Sequence, residues 1–237
     1  YFQSSVIDFD KDRSDRSTYK LLGGSIGFYG STLNTRQYAT KGYLEKLIAQ
    51  VFTGRERFEP GNPQEGYSPS PQERQSWLQI SYMKEAYHTM GPKFTLGWMA
   101  EALYSSKNFS ENYTATMMQA GEFAPTPHSK LMYNEAFRAN QYVAAGIKPI
   151  YVLNDMFQFR TEFYGFTPIF PIKKNALNKA YYGKAFSRFE YMGEVSVICH
   201  LPFGAISAYV NHYSSPRREW NVGMTIGWQL FNYRFVE

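Results

Sequence analysis

The stretch NVGMTIGWQLFNYRFVE, residues 221–237, decides the fold class. Val222, Met224, Ile226, Trp228 and Leu230 alternate with Asn221, Gly223, Thr225, Gly227 and Gln229. Successive strand side chains point to opposite faces, so this segment has one apolar face and one small or polar face. Phe231, Tyr233 and Phe235 continue it as an aromatic C-terminal strand. Such a strand fits the closing strand of an all-β, antiparallel transmembrane β-barrel.

Composition agrees. Aromatic residues make up 18% of the chain, with 20 Tyr and 19 Phe. Mean hydropathy is nevertheless -0.46, too polar for a helical membrane protein. Strands that are apolar on one face only reconcile the two values. A soluble, Tyr-rich β-sandwich binding module also alternates, and composition leaves it open. The net charge of +5 is scattered, without the basic stripe that nucleic-acid binding requires. The one cysteine, Cys199, excludes an internal disulfide and a thiolate metal cluster. No helical span appears. The longest uncharged run, Val195–Pro216, is interrupted by His200, Pro202 and Gly204 and reads as a hairpin.

Residues 1–4 read as a tag remnant, 5–18 as a lead-in and 19–237 as the barrel domain. About ten strands are expected. They are Tyr19–Leu33, Gly42–Arg55, Ser76–His88, Lys93–Ser106, Asn112–Phe123, Gln141–Leu153 (disturbed at Pro149), Met156–Ile169, Ser187–Leu201, Ala205–His212 and the terminal strand. Phe94, Leu96, Trp98, Ala100, Ala102 and Tyr104 are expected outward, with Thr95, Gly97 and Glu101 inward. Phe157, Phe159, Thr161 and Phe163 likewise oppose Gln158, Arg160 and Glu162. Tyr191, Val195, Val197 and Cys199 oppose Glu190, Glu194, Ser196 and His200. Short turns alternate with longer loops, as periplasmic turns and extracellular loops do.

Gly23-Gly24-Ser25-Ile26-Gly27 matches G-x-S-x-G, but a nucleophile elbow needs a strand-to-helix turn, and here the match sits inside a strand pattern. His88, His128, His200 and His212 have no metal-ligand spacing. No catalytic residue, metal or other cofactor is expected.

Two further segments resemble a known superfamily, the bacterial surface-antigen barrels that insert or translocate outer-membrane proteins. Tyr38-Ala39-Thr40-Lys41-Gly42 is similar to its F-P-T-x-G strand start, through Thr40 and Gly42. Phe137-Arg138-Ala139-Asn140 is similar to its V-R-G-F loop, with Ala139 in place of the glycine. FRANQYVAAG, residues 137–146, followed by a PIY strand, looks like the C-terminal barrels of Bacteroidetes patatin-like phospholipases. The resemblance covers about Tyr19 to the end. It implies an outer-membrane barrel that anchors, positions or translocates an upstream patatin-type lipase domain, whose catalytic residues would lie upstream. It implies outer-membrane lipid, upstream domains of the same polypeptide and the barrel-assembly machinery as partners, with a homo-oligomer allowed. It also implies that Arg138 folds inward onto a carboxylate of a late strand: Glu162 first, then Glu190 or Glu194. The family's barrels have about sixteen strands, so the strands here form either a smaller barrel, the last strand pairing with the first, or the C-terminal portion of a larger one. A passive pore for small solutes is the competing membrane function.

Overall fold

The computed structural model describes residues 2–3, 15–61, 74–202, 204–215 and 220–228. The elements in chain order begin with β1 (Phe2–Gln3), β2 (Arg16–Ser31), β3 (Gly42–Glu59), β4 (Arg74–Thr89) and β5 (Phe94–Ser105). Then come helix α1 (Tyr113–Gln119), β6 (Gly121–Glu122), 3-10 turns at Ser129–Leu131 and Glu135–Phe137, and β7 (Arg138–Ala139). β8 (Gln141–Val152), β9 (Phe157–Pro168), β10 (Ile172–Lys174), β11 (Ala180–Tyr182), β12 (Glu190–Leu201), β13 (Gly204–Tyr213) and β14 (Trp220–Trp228) complete the chain.

The nine long strands form one antiparallel sheet in the order β2-β3-β4-β5-β8-β9-β12-β13-β14. β1 adds two residues opposite Arg16 and Ser17. A single sheet replaces the two packed layers of a sandwich. Residues 32–41, 90–93 and 153–156 join strands at one end, and the longer described segments 106–140 and 169–189 lie at the other.

The sheet is curled, and chain reach shows it. The Tyr38 hydroxyl is hydrogen-bonded to Ser207 of β13 at 2.7 Å. β13 is six strands from β3 in sheet order. In a flat sheet that separation is about 29 Å. Tyr38 precedes Gly42 by four residues, a span of at most about 14 Å, and its own ring cannot bridge the rest. The loop between β2 and β3 therefore crosses the hollow of a concave face.

The two faces are sorted as the alternation predicts. On β5, β9 and β12 the residues expected inward face the concave side, where loops cover most of them, and Phe94, Phe157, Phe159, Phe163, Tyr191, Val195 and Val197 are exposed on the convex side. The main apolar cluster lies under the long loop. Phe123, Phe137 and Ala139 pack there on Tyr142, Tyr164, Phe166, Met192 and Tyr213.

Two expectations change. Asn112–Phe123 is helix α1 followed by the two-residue strand β6, not one long strand. Asn112 caps α1 by accepting a hydrogen bond from the Ala115 N–H at 2.7 Å. Tyr113, Met117 and Ala120 follow at helical spacing and bury one face against Ile172. The long strands consequently number nine, and β2 and β14 run in the same direction. Of the two alternatives for the terminal strand, the seam with Tyr19–Leu33 is not formed among the described residues, where β13 is the sheet neighbour of β14. Phe231, Tyr233, Phe235 and the lead-in up to residue 14 lie outside the described residues, as does the side chain of Trp228. Pro149 disturbs its strand as expected: pairing of β8 with β9 lapses between Ile147 and Ile150.

Thr40 and Gly42 are both needed by the turn they occupy. The Asn34 carboxamide donates to the Thr40 hydroxyl at 3.0 Å, and its oxygen accepts the N–H groups of Thr40 and Lys41, each at 3.0 Å. Gly42 has φ +90, and a Cβ there would lie 2.1 Å from the Thr32 carbonyl oxygen. Gly42→Ala should lower stability by about 1–3 kcal/mol, read as a shift in the urea midpoint at unchanged slope.

Candidate functional site

The concave face holds two locks, one for each loop that folds into it. The first holds loop 32–41. Arg160 of β9 donates from Nη1 to the Ala39 carbonyl at 2.9 Å, and Gln158 donates to the Tyr38 carbonyl at 3.1 Å. Tyr38 has φ 55, unusual for a bulky residue, and these contacts together with Ser207 hold it there. Arg160 is in turn fixed by Glu162, Nε to Oε1 at 3.0 Å. Glu162 also accepts from the Tyr164 hydroxyl at 2.6 Å. Lys148 of β8 pairs with Glu85 of β4 at 2.9 Å, and Tyr87 donates to Glu85 and accepts from Arg160. Arg160, Glu162 and Lys148 are 2%, 7% and 4% exposed, so they form a buried ionic network with shared partners.

The second lock holds the long loop 106–140, and it corrects the expected partner of Arg138. Arg138 pairs with Glu122, Nη2 to Oε2 at 2.7 Å, rather than with Glu162, Glu190 or Glu194. The register explains why. β6 and β7 form a two-residue ladder in which Glu122 lies directly across from Arg138. Arg138 also donates from Nη1 to the carbonyls of Met118 and Ala120 at the end of α1, at 3.2 and 3.3 Å. The guanidinium lies 4.8 Å from the Tyr133 ring centroid. Phe137 and Ala139, on either side, are buried. Glu190 is taken by Arg188 at 2.9 Å. Glu194 lies directly across from Glu162 and leaves one carboxylate oxygen without a hydrogen bond. Arg138→Ala should free the loop. We expect faster protease cleavage within 106–140 and a loss of about 1.5–3 kcal/mol, with the Glu122→Ala effect largely absorbed in the double variant.

A buried lysine adds a pH response at the mouth of the long loop. Lys107 lies 4.9 Å over the Trp77 ring and 5.8 Å over the Tyr19 ring. Burial pushes its ammonium down from 10.5 to about 8, and the neighbouring Glu56 carboxylate offsets only part of that. Between these values the unfolded chain binds more protons than the folded one, so this group makes stability rise with pH from about 8 to 10.5. Lys107→Met should flatten that slope in urea melts taken across the window. Burial also pushes the Tyr38 phenol up and the His128 imidazole down.

Ser25 lies mid-strand opposite Gln50, with no strand-to-helix turn around it. Among the described residues no group of three or more His, Cys, Asp or Glu could hold a metal ion. The inward placement of Arg160 and Glu162 was legible from alternation. Their hold on residues 38–39 was not, because it joins positions more than a hundred residues apart. Glu122 was hidden by reading Asn112–Phe123 as a strand. The Asn112 cap and Gly121 were the signals that could have exposed it. Comparisons with protein-family models, with characterised proteins and with solved structures give no match to this chain.

Proposed function

We propose that this chain is an outer-membrane β-barrel domain that anchors and positions an upstream patatin-type phospholipase domain. One observation carries the membrane reading: the sorting of the faces is inverted relative to a water-soluble protein. Arg160, Glu162 and Lys148 are buried, whereas Phe163, Val195 and Ile147, at mid-strand, are 54%, 55% and 51% exposed. The apolar surface continues over β5, β8, β9 and β12, and a contiguous exposed patch of this kind marks a membrane or partner surface. These four strands have 12 residues each, enough to cross a hydrocarbon core when tilted. The patatin link rests on the FRANQYVAAG resemblance alone. Anchoring is favoured over solute conduction because loops 32–41 and 106–140 both fold into the concave face and are locked there.

In a barrel, the sheet edges need partners. A seam between β2 and β14 would pair parallel strands, unlike every other pair, and the family's larger barrel would instead supply further strands. Protein refolded into detergent should show heat-modifiable migration in gel electrophoresis, the unheated band running faster. A single band with and without heating, from protein that stays monodisperse in plain buffer, would contradict the membrane reading.

A further inference from the structure

On the convex side of β2, β3 and β4, Lys20, Arg55 and Arg74 stand directly across from one another in the register. All three are exposed. Like charges directly opposed across a sheet destabilise it, so such a row calls for an anionic counterpart. Among the described residues no carboxylate pairs with any of the three. Arg74 donates to the Thr53 hydroxyl at 3.3 Å, and the next cation outward, Arg57, is already paired with Glu59 at 2.9 Å.

The position of the row identifies the counterpart. Inward from it along the same face come Leu22, Ile26 and Phe28 on β2, Val51 and Leu47 on β3, and Leu78 and Ile80 on β4, all exposed. This apolar stretch ends at a second charged row, Glu45 opposite Lys84. That row is self-neutralised, with a 3.4 Å ion pair and the Tyr82 hydroxyl donating to Glu45 at 2.6 Å. Ten residues separate the two rows on β3 and on β4, about 33 Å along the strand. With a barrel's usual tilt this is about 25 Å across the membrane, the height of an apolar belt. The two rows therefore sit at opposite interfaces. The unneutralised one lies at the long-loop end, which faces outward in outer-membrane barrels.

We propose that Lys20, Arg55 and Arg74 form a binding row for lipid phosphate groups in the leaflet at the long-loop end. Guanidinium groups bind phosphate oxygens through paired N–H donors, and three cations on adjacent strands match a phosphorylated headgroup better than a zwitterionic one. The inference rests on the membrane reading above, and its test separates the two.

The full chain and its Lys20→Gln/Arg55→Gln/Arg74→Gln variant would be refolded into phosphatidylcholine vesicles containing a minor share of phosphatidic acid. Lipid retained after mild detergent extraction is then measured by mass spectrometry. The unsubstituted protein should retain phosphatidic acid at least about tenfold above its bulk ratio, and the variant within about twofold of bulk. The charge-keeping Lys20→Arg/Arg55→Lys/Arg74→Lys variant and Lys84→Gln should both keep the enrichment. Added inorganic phosphate should leave it standing, and its abolition would rule out lipid as the source. Heat-modifiable migration in pure phosphatidylcholine reports insertion separately for each protein. Insertion without enrichment, or equal enrichment in the neutralised variant, overturns the phosphate row alone. No insertion of the unsubstituted protein overturns the membrane reading and the row with it.

Discussion

Glu162→Ala should be among the most damaging single substitutions on the concave face, costing about 3–5 kcal/mol. The carboxylate is the ion-pair partner of Arg160 at 3.0 Å and accepts the Tyr164 hydroxyl at 2.6 Å. Its removal leaves a guanidinium that is 2% exposed without its counter-ion, next to the buried Lys148. The loss then spreads, because Arg160 is also the donor that holds the Ala39 carbonyl. We therefore expect loop 32–41 to become a new protease site. Glu162→Gln keeps an acceptor for Tyr164 and should cost less, about 2 kcal/mol. Glu194, directly across the register, is placed to take over. The Glu162→Ala/Glu194→Ala double variant should therefore cost more than the sum of the two singles. Urea titration of the refolded protein in micelles measures all four variants, Glu194→Ala included. An effect of Glu162→Ala within 0.5 kcal/mol of zero, an order of size ordinary for exposed positions, would remove the lock from this account.

Phe163→Arg is the second large effect, and its sign separates the two environments. Phe163 is mid-strand on β9 and 54% exposed. In a bilayer an arginine there costs about 2–4 kcal/mol and should abolish most refolding into vesicles. Val195→Arg, mid-strand on β12, should behave alike. Phe94→Arg, at the end of β5, should cost only about 0–1 kcal/mol, because the side chain reaches the interface. In water the same exposed Phe163→Arg change would be nearly neutral and would raise solubility. The depth dependence is thus the signature to look for, measured as folded fraction against position.

The strands were legible because one physical signal, period-two alternation, runs through each of them. Phe157, Phe159 and Phe163 against Gln158, Arg160 and Glu162 fixed the faces of β9 before any neighbour was known. The same signal misled at Asn112–Phe123. There, Tyr113, Met117 and Ala120 sit at i, i+4 and i+7, and the short apolar run fits either period. That one misreading moved the strand count from ten to nine and hid the partner of Arg138. Arg138 meets no late-strand carboxylate: a two-residue ladder with Glu122 of its own loop holds it, and nothing local in the sequence announces so short a pairing. The Arg160 clamp lay further out of reach. It depends on the curl of the whole sheet, which brings Tyr38 against β9 and β13.

If the convex face meets lipid and the concave face does not, tryptophan quenching separates the two faces. Trp98 lies on the convex side, its indole N–H donating to His88 at 3.3 Å. Trp77 lies on the concave side, stacked on Phe52 at 5.1 Å between centroids. Two proteins would be prepared, each keeping one of these and carrying Phe at the other three tryptophan positions, and both refolded into vesicles with brominated acyl chains. Strong quenching of Trp98 with little quenching of Trp77 is the expected result. Equal quenching of the two, or none for Trp98, would contradict the account.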